Sequence, residues 1–335
     1  MVQVRVSAWL AEILPAAVPP FDIVDFPGGR SMLTSRLTDS TGASWVLRRP
    51  PAKSARGGAH DVGREARVMA AVRDHGVPVP ALRYVGTGDD PLGVPCHITD
   101  FVDGRVLEGR DVQPPAPAVM TRATQQIVDV LARLHAIDPD AVGLGDLGPR
   151  TDYVARQLHR WRGQIAGAAG YGDELSRELD AIAAALDAFG FPQSSPRIVH
   201  GDFRLGNAIV AADGGIAAIL DWELSTLGEP LADLGMLTAF WTAPPSAMLG
   251  AVMPTSFAGS IGTTEVLDRY AAASEHELGD FSGYLALACW RLACTGYLAR
   301  SRYAAGVMND RIDSSTFEAA VARWAAAARE ALAAR

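Results

Sequence analysis

The sequence is almost without lysine. Of its 30 basic side chains 29 are arginine, and the one lysine is Lys53. Schiff-base or pyridoxal chemistry would have to use that residue, which lies in a Pro/Gly-flanked stretch, PAKSARGGAH. Phosphate recognition, for which many sites use lysine as a point charge, falls here to arginine. Cysteine is scarce as well. Cys96, Cys289 and Cys294 are odd in number and lack metal-ligand spacing, which suits a reducing compartment. Positive charge is not in surplus: 38 acidic residues give a net charge of −8, which argues against a general nucleic-acid binder. No apolar run approaches the ~18–20 residues of a membrane-crossing helix. The first residues, MVQVRVSAWLAEILPAA, have neither a basic start nor a long apolar core. No signal peptide and no membrane partner are expected, and the expected location is cytoplasmic.

What is present fits a soluble chain with a sizeable core. Hydrophobic residues make up 49% and charged residues 20%. At ~100–200 residues per domain, the length suggests two domains or one bilobal unit. Residues 4–14 read as a short amphipathic helix stopped by Pro15. The stretch FPGGRSMLTSRLTDSTGASWVLRRPP reads as strand, Gly turn, strand, turn and strand. A helix follows, with Asp61 as N-cap and Val62, Ala66, Met69, Ala70 and Val72 as its apolar stripe. Residues 81–86 and 96–102 read as two further strands. Beyond Asp103-Gly104 helices are expected at 117–136, 151–167 and 173–189, then strand and loop over 196–235. From about 262 to the end the chain reads as Ala-rich helix, broken near 279 and 308–313.

The chemistry concentrates in IVHGDFRLGNAIVAADGGIAAILDWE, residues 198–223. Ala208–Val210 and Ile216–Leu220 are apolar β-type runs joined by a Gly-Gly turn, a hairpin pattern. A hairpin brings its open ends together, so Asn207 and Asp221 are expected as neighbours. Asp202, five residues before Asn207, joins them. Two carboxylates and an amide oxygen form a hard-oxygen set that suits Mg²⁺ held partly by substrate phosphates. A carboxylate left off the metal can orient or deprotonate a hydroxyl. The plainer alternative is that Asp202 and Asp221 only cap turns. Asp233 reads as an N-cap or loop-bracing residue before an apolar helix.

The pattern His-x-Asp-x-x-x-x-Asn followed by a metal-binding Asp resembles the catalytic core of the protein-kinase-like superfamily. The form here, His200-Gly-Asp202 and then Asp221-Trp-Glu223, is similar to the aminoglycoside phosphotransferase and choline kinase branch. HGDFRLGN and LDWELSTLGEPLADLG resemble more narrowly the phosphotransferase domains found in bacteria and, elsewhere, fused to acyl-CoA dehydrogenases. The resemblance spans roughly residues 20–310. It implies an α+β, protein-kinase-like bilobal fold. Residues 1–103 would be a nucleotide-binding antiparallel-sheet lobe, and 104–335 a mainly helical lobe with the catalytic loop and acceptor pocket.

The same resemblance implies roles. Asp202 would be the catalytic base or hydroxyl-orienting group, and Arg204 would hold a phosphate or substrate anion. Asn207 and Asp221 would bind Mg²⁺, with Glu223 available to a second ion. His200 would brace the loop. ATP or GTP would sit on the first lobe. Pro27-Gly28-Gly29-Arg30-Ser31 lies between two strands, where backbone amides can cover phosphates; such a pattern also serves as a simple turn. The subgroup has Ser-Asn in this loop, whereas this chain has Ser31-Met32. Arg48 occupies the place of the phosphate-binding lysine, and Glu65 that of its helix partner. The alternative for that pair is a surface ion pair. Arg49 faces the opposite side of the strand. Asp100, Phe101 and Val102 resemble the hinge whose backbone meets a purine edge, although Phe101 suits a core position equally well.

The acceptor is expected to be a small molecule with a hydroxyl group. Residues 281–335 carry seven arginines and four acids, a surplus of +3 against −11 elsewhere. That sign favours an anionic acceptor, such as a hydroxy acid or hydroxyacyl-CoA, over a polycationic aminoglycoside. Trp290, Arg291 and Tyr297 lie on one helical segment and are candidate substrate residues; the alternative is a buried aromatic face. The expected protein is a Mg·ATP-dependent small-molecule O-phosphotransferase, monomeric or homodimeric. An antibiotic-resistance kinase and a non-catalytic nucleotide-binding pseudokinase are the alternatives.

Overall fold

The computed structural model describes residues 2–26, 32–51, 61–108, 112–242, 252–305 and 314–334. Ser31 and the Gly-Gly stretch before it, and Lys53, lie outside the described residues. In chain order the elements are α1 (Val2–Ile13), β1 (Asp22–Asp25), β2 (Leu33–Thr38), β3 (Ser44–Arg49), α2 (Val62–Arg73), β4 (Leu82–Gly86) and β5 (Cys96–Asp100). Then come α3 (Pro117–Ala136), α4 (Tyr153–Ala166), α5 (Glu174–Asp187), β6 (Arg197–Val199), β7 (Ala208–Val210), β8 (Ile216–Ile219) and β9 (Thr226–Gly228). The chain continues through α6 (Pro230–Thr242), α7 (Thr263–Ala273), α8 (Ser282–Ala304) and α9 (Ser314–Ala333). The class is α+β, as the motifs implied.

Two compact units result: Met1–Gly104 with Ala217–Ser225, and Arg105–Ile216 with Thr226–Arg335. A single break after residue 103 therefore misses one segment. Residues 217–225 belong to the first unit because several bonds tie them there. Ile219 N–H donates to the Pro78 carbonyl at 2.8 Å, and Arg64 Nη2 donates to the Ser225 carbonyl at 2.6 Å.

The first unit is built on an antiparallel sheet in the order β1-β2-β3-β5-β4. Strand alternation divides its faces. Trp45 and Leu47 of β3 join Leu37, Ile98 and the α1 residues Trp9 and Leu10 in one apolar cluster. Arg48, one residue past Leu47 and so on the alternate phase, is sent to the other side, where it meets Glu65 of α2. Asp61 caps α2, its carboxylate accepting from Arg64 N–H at 3.0 Å. β3 and β5 pair in a register that sets Arg48 opposite His97.

The second unit is mainly helical. α8 packs against α4, α5, α6 and α9. The sequence placed Asp233 ahead of a helix, but α6 begins at Pro230, so Asp233 lies in its first turn. α6 is buried on every side from Pro230 to Phe240, which erases the one-sided apolar period that marks a surface helix. Gly235 lets it pass close to α8: a Cβ there would come within 2.5 Å of the Tyr284 carbonyl oxygen. The three cysteines are free and buried, and burial pushes the Cys96 and Cys289 thiols up to about 12, which makes them poor nucleophiles. Among the described residues no helix is long and apolar enough to cross a membrane.

Candidate active site

In the first unit Arg48 meets its expected partner Glu65, and also Asp221 and Glu223, which the sequence assigned to metal binding instead. Arg48 Nε lies 3.0 Å from Glu65 Oε2, and its Nη2 lies 2.5 Å from Asp221 Oδ1 and 3.8 Å from Glu223 Oε2. One guanidinium thus faces three carboxylates. Burial alone would lower the Arg48 pKa, but the charges of Glu65, Asp221 and Glu223 outweigh it and hold the group raised. Glu65 is 3% exposed. Burial pushes its carboxyl up, yet His97 and Arg48 together hold it below the usual carboxylate range. His97 was not singled out in the sequence. It is buried, and its Nε2 stands 3.5 Å from the same Glu65 oxygen that Arg48 meets. Asp221 adopts φ 65°, the left-handed region that non-glycine residues rarely enter and that recurs at functional sites.

The hinge expectation is narrowed. Asp100 N–H donates to the Ala81 carbonyl at 2.9 Å, and Phe101 N–H to the Ser44 carbonyl at 3.3 Å. Both amides are therefore committed within the sheet unit and not open to a purine. The Asp100 carboxylate is gripped bidentately by Arg83 at 2.6 Å from both nitrogens, and the Phe101 ring lies 4.4 Å below the Arg36 guanidinium. Of the three, Val102 keeps an amide that takes no part in the described hydrogen bonds.

In the second unit β6 delivers the segment His200-Gly201-Asp202. Both backbone amides before Asp202 are captured by Asp233 of α6: His200 N–H donates to Oδ2 at 2.5 Å and Gly201 N–H to Oδ1 at 2.9 Å. Asp233 is fully buried. Burial raises its pKa, but the bond from His135, the charges of His135 and His200 and the Gly201 N–H bring it below the usual range. Bracing of the loop, one of the two roles read from sequence, is what these bonds do. His200 is also buried; its Nδ1 accepts from Asp202 N–H at 3.2 Å, and Phe203 packs edge-on to its ring.

A single-turn helix, Leu205–Asn207, folds the Asn207 side chain back onto Asp202. Asn207 Nδ2 donates to the Asp202 carbonyl at 2.9 Å and to its Oδ2 at 2.8 Å. Arg204 Nε reaches the same Oδ2 at 3.3 Å, while its Nη1 meets Glu108 Oε2 at 2.5 Å. The guanidinium also stands 5.6 Å from the Phe240 ring centroid. Burial would depress the Arg204 pKa, but the Asp202 and Glu108 charges hold it raised. Glu108, 96 residues from Arg204 in the chain, carries no local motif that could have revealed it. Leu205, Phe240, Val252, Met253 and Pro254 continue an apolar lining beside this pair.

The structure thus brings Asp202, Arg204 and Asn207 together in one unit, and Arg48, Glu65, Asp221 and Glu223 together in the other. The α8 candidates turn out differently. Trp290 and Tyr297 are fully buried; the Trp290 indole donates to the Leu179 carbonyl at 2.9 Å, and Tyr297 OH reaches Asp173. They are core residues, and the alternative of a buried aromatic face is the correct one. Arg291, 5% exposed, donates to the Gly201 carbonyl at 2.7 Å. Part of the basic surplus of residues 281–335 is also engaged within the unit. Arg300 pairs with Asp173 and Glu318, and Arg329 with Glu178.

Comparison with known proteins gives these sites a context. The model of the phosphotransferase enzyme family matches residues 22–287. Mouse acyl-CoA dehydrogenase family member 10 is 31% identical over 232 residues, which is 68% of this chain and 21% of the mouse protein. Chicken acyl-CoA dehydrogenase family member 11 is 30% identical over 79% of this chain and 35% of its own length. The chain spans between 21% and 38% of the length of these curated relatives. A candidate aminoglycoside phosphotransferase from Ralstonia eutropha superposes with a TM-score of 0.82 at 27% identity, covering 99% of this chain and 98% of the other. A choline/ethanolamine kinase family protein from Mesorhizobium loti shares the fold at a TM-score of 0.60 and 20% identity, covering 100% and 99%. So does aminoglycoside 2'-phosphotransferase-IIIa in complex with GDP, at a TM-score of 0.64 and 16% identity, covering 96% and 98%.

Proposed function

Because the chain belongs to the phosphotransferase enzyme family and is a small-molecule kinase, we propose that it uses ATP or GTP with Mg²⁺ to phosphorylate a hydroxyl of a small anionic acceptor, such as a hydroxy acid or a hydroxyacyl-CoA. Asp202 takes the hydrogen bond of that hydroxyl and turns its oxygen toward the phosphorus for in-line attack. The described side-chain donors to Asp202, Asn207 Nδ2 and Arg204 Nε, both fall on Oδ2, which leaves Oδ1 for the acceptor. Asn207 commits its amide nitrogen to Asp202, so its amide oxygen remains as a donor atom for a cation. The resemblance gives Asp221, with Glu223 beside it in sequence, a metal-binding role as well, and carboxylate oxygens are likewise hard ligands of the kind Mg²⁺ prefers. Mg²⁺, when bound, neutralises charge on the phosphates. Arg48, steadied by Glu65, supplies the cation that lysine provides in many relatives of this fold. Its guanidinium has donors enough to hold Glu65 and still grip phosphate.

One observation carries the acceptor class: Arg204 is the cation beside Asp202, and it already holds a carboxylate, that of Glu108, at 2.5 Å. An acceptor's own carboxylate would meet the same fork in place of Glu108. This support comes from Arg204 and not from the C-terminal helices, where Arg300 and Arg329 are engaged in ion pairs and Arg291 is bound to a backbone carbonyl. The acyl-CoA dehydrogenase relatives, of which the chain spans 21–38%, are the reason to include acyl compounds among the acceptors tested.

The test is a phosphoryl-transfer screen with ATP and GTP, with and without EDTA. Acceptors are hydroxy fatty acids, their CoA thioesters, kanamycin and erythromycin, with Asp202→Asn as control. Transfer to the hydroxyacyl compounds is expected, with a loss of roughly 10²–10⁴-fold in kcat for the mutant. Preferred turnover of kanamycin would refute the anionic acceptor, and unchanged turnover in Asp202→Asn would refute the role of Asp202.

A further inference from the structure

Gly201 has φ 87°, a conformation open to glycine and strained for other residues. The peptide that links it to Asp202 therefore has no intrinsic preference that would hold its plane. Its orientation decides where the Asp202 side chain points. In this structure that peptide is held at both ends. Its N–H, that of Asp202, donates to His200 Nδ1 at 3.2 Å, a long bond. Its carbonyl, that of Gly201, accepts from Arg291 Nη2 at 2.7 Å, a short one with a charged donor. Asp233 fixes the two preceding amides from α6, while Arg291 reaches this carbonyl from α8.

Arg291 is an expensive residue to keep for stability alone. It is 5% exposed, makes no ion pair among the described residues, and its Nε has no hydrogen-bond partner. Its remaining described neighbour of note is the Trp161 ring, 5.9 Å from the guanidinium carbon. A buried cation without a counter-ion is costly, and an apolar side chain of similar length would often be tolerated as well or better.

We propose that Arg291 is a positioning residue: it locks the Gly201–Asp202 peptide, so that Asp202 presents its carboxylate to the acceptor in one orientation. The proposal rests on the catalytic role assigned to Asp202 above. Without Arg291 the peptide keeps only the longer bond to His200 and samples rotated planes, and the carboxylate moves with them. Displacements of about 1 Å at a reacting group can cost on the order of 10²-fold in rate.

The test uses the full chain with Arg291→Met, Arg291→Lys and, as a core control on the same helix, Trp290→Phe. Two readouts are taken. The first is hydrogen exchange of the His200–Phe203 amides, which needs no acceptor. Arg291→Met is expected to speed exchange there by about tenfold or more over any change in the rest of α3–α8, and Trp290→Phe to show no such local excess. The second is steady-state kinetics with the acceptor found by the screen. Arg291→Met is expected to lower kcat by roughly 10- to 100-fold while the nucleotide KM changes less than about threefold. Arg291→Lys, which keeps a charged donor, is expected to recover part of that loss. The proposal is overturned if loop exchange in Arg291→Met matches wild type, or if Trp290→Phe loosens the loop equally. It is also overturned if kcat falls no more than about threefold, or if the nucleotide KM carries the defect. If Arg291→Met does not fold, the exchange and kcat of Arg291→Lys decide in the same way. A silent Asp202→Asn mutant beside a loosened loop in Arg291→Met would locate the failure in the role of Asp202 instead.

Discussion

Glu65 offers the sharpest quantitative test of the Arg48 network. Replacing Arg48 by Met leaves a carboxylate that is 3% exposed and that has His97 3.5 Å away but no arginine beside it among the described ion pairs. Breaking a buried ion pair on one side costs about 3–5 kcal/mol, because a charge is left without compensation. The Arg48 side chain is 16% exposed and the Asp221 side chain 35%, so solvent softens the effect. A loss of about 3 kcal/mol is expected for Arg48→Met. Glu65→Gln removes the buried charge while Arg48 keeps Asp221 and Glu223, and about 1–2 kcal/mol is expected. The double mutant has no buried charge to strand, so a coupling near 2 kcal/mol should appear in the cycle. Urea titration of the four proteins, followed by far-UV circular dichroism at low and high salt, measures it. The sign with pH follows from the depressed Glu65 carboxyl. Its stabilisation is fully present above the ordinary carboxylate value of 4.5 and is lost as pH falls below it. The difference between wild type and Glu65→Gln should therefore shrink in acid. A coupling under about 0.5 kcal/mol, or one abolished by salt, would make the pair an ordinary surface contact and refute the reasoning.

Two further outcomes follow from the second unit. Asp233, fully buried and held below its ordinary value of 3.8, contributes stability above that pH that is lost as pH falls through the folded value. Asp233→Asn should lower the urea midpoint at pH 7 and flatten its fall below about pH 4, and a parallel acid limb in the mutant would count against the assignment. Glu108 occupies Arg204 at 2.5 Å, so Glu108→Gln should free the fork and lower the KM of an anionic acceptor several-fold; a raised KM would show that Glu108 itself binds the acceptor.

The candidate catalytic segment was readable because its chemistry is local. Asp202, Arg204 and Asn207 lie within six residues, and one short helical turn brings them together. Arg48 and Glu65 were legible through the resemblance to the kinase pattern, and strand alternation separated Arg48 from Arg49. What escaped the sequence depends on distant partners. Glu108 meets Arg204 across 96 residues and has no motif of its own. α6 has no periodic signal because it is apolar and buried on all sides. Trp290 and Tyr297 do share a helix face, but a shared aromatic face looks the same whether it lines a pocket or fills a core.

Net charge misled for a related reason: it counts arginines without saying whether they are free. Residues 281–335 have a surplus of basic side chains, yet Arg300 and Arg329 are paired and Arg291 is buried against a backbone carbonyl. The near-absence of lysine is more informative at single positions. An ammonium is a compact point charge, whereas a guanidinium presents donors along a planar fork. Arg48 uses that fork to hold Glu65 through Nε and Asp221 through Nη2. Arg204 does the same with Asp202 through Nε and Glu108 through Nη1. At both sites one cation spans two carboxylates from different elements. Arg48→Lys and Arg204→Lys would each keep the charge and lose the span, so they are not conservative changes in this protein.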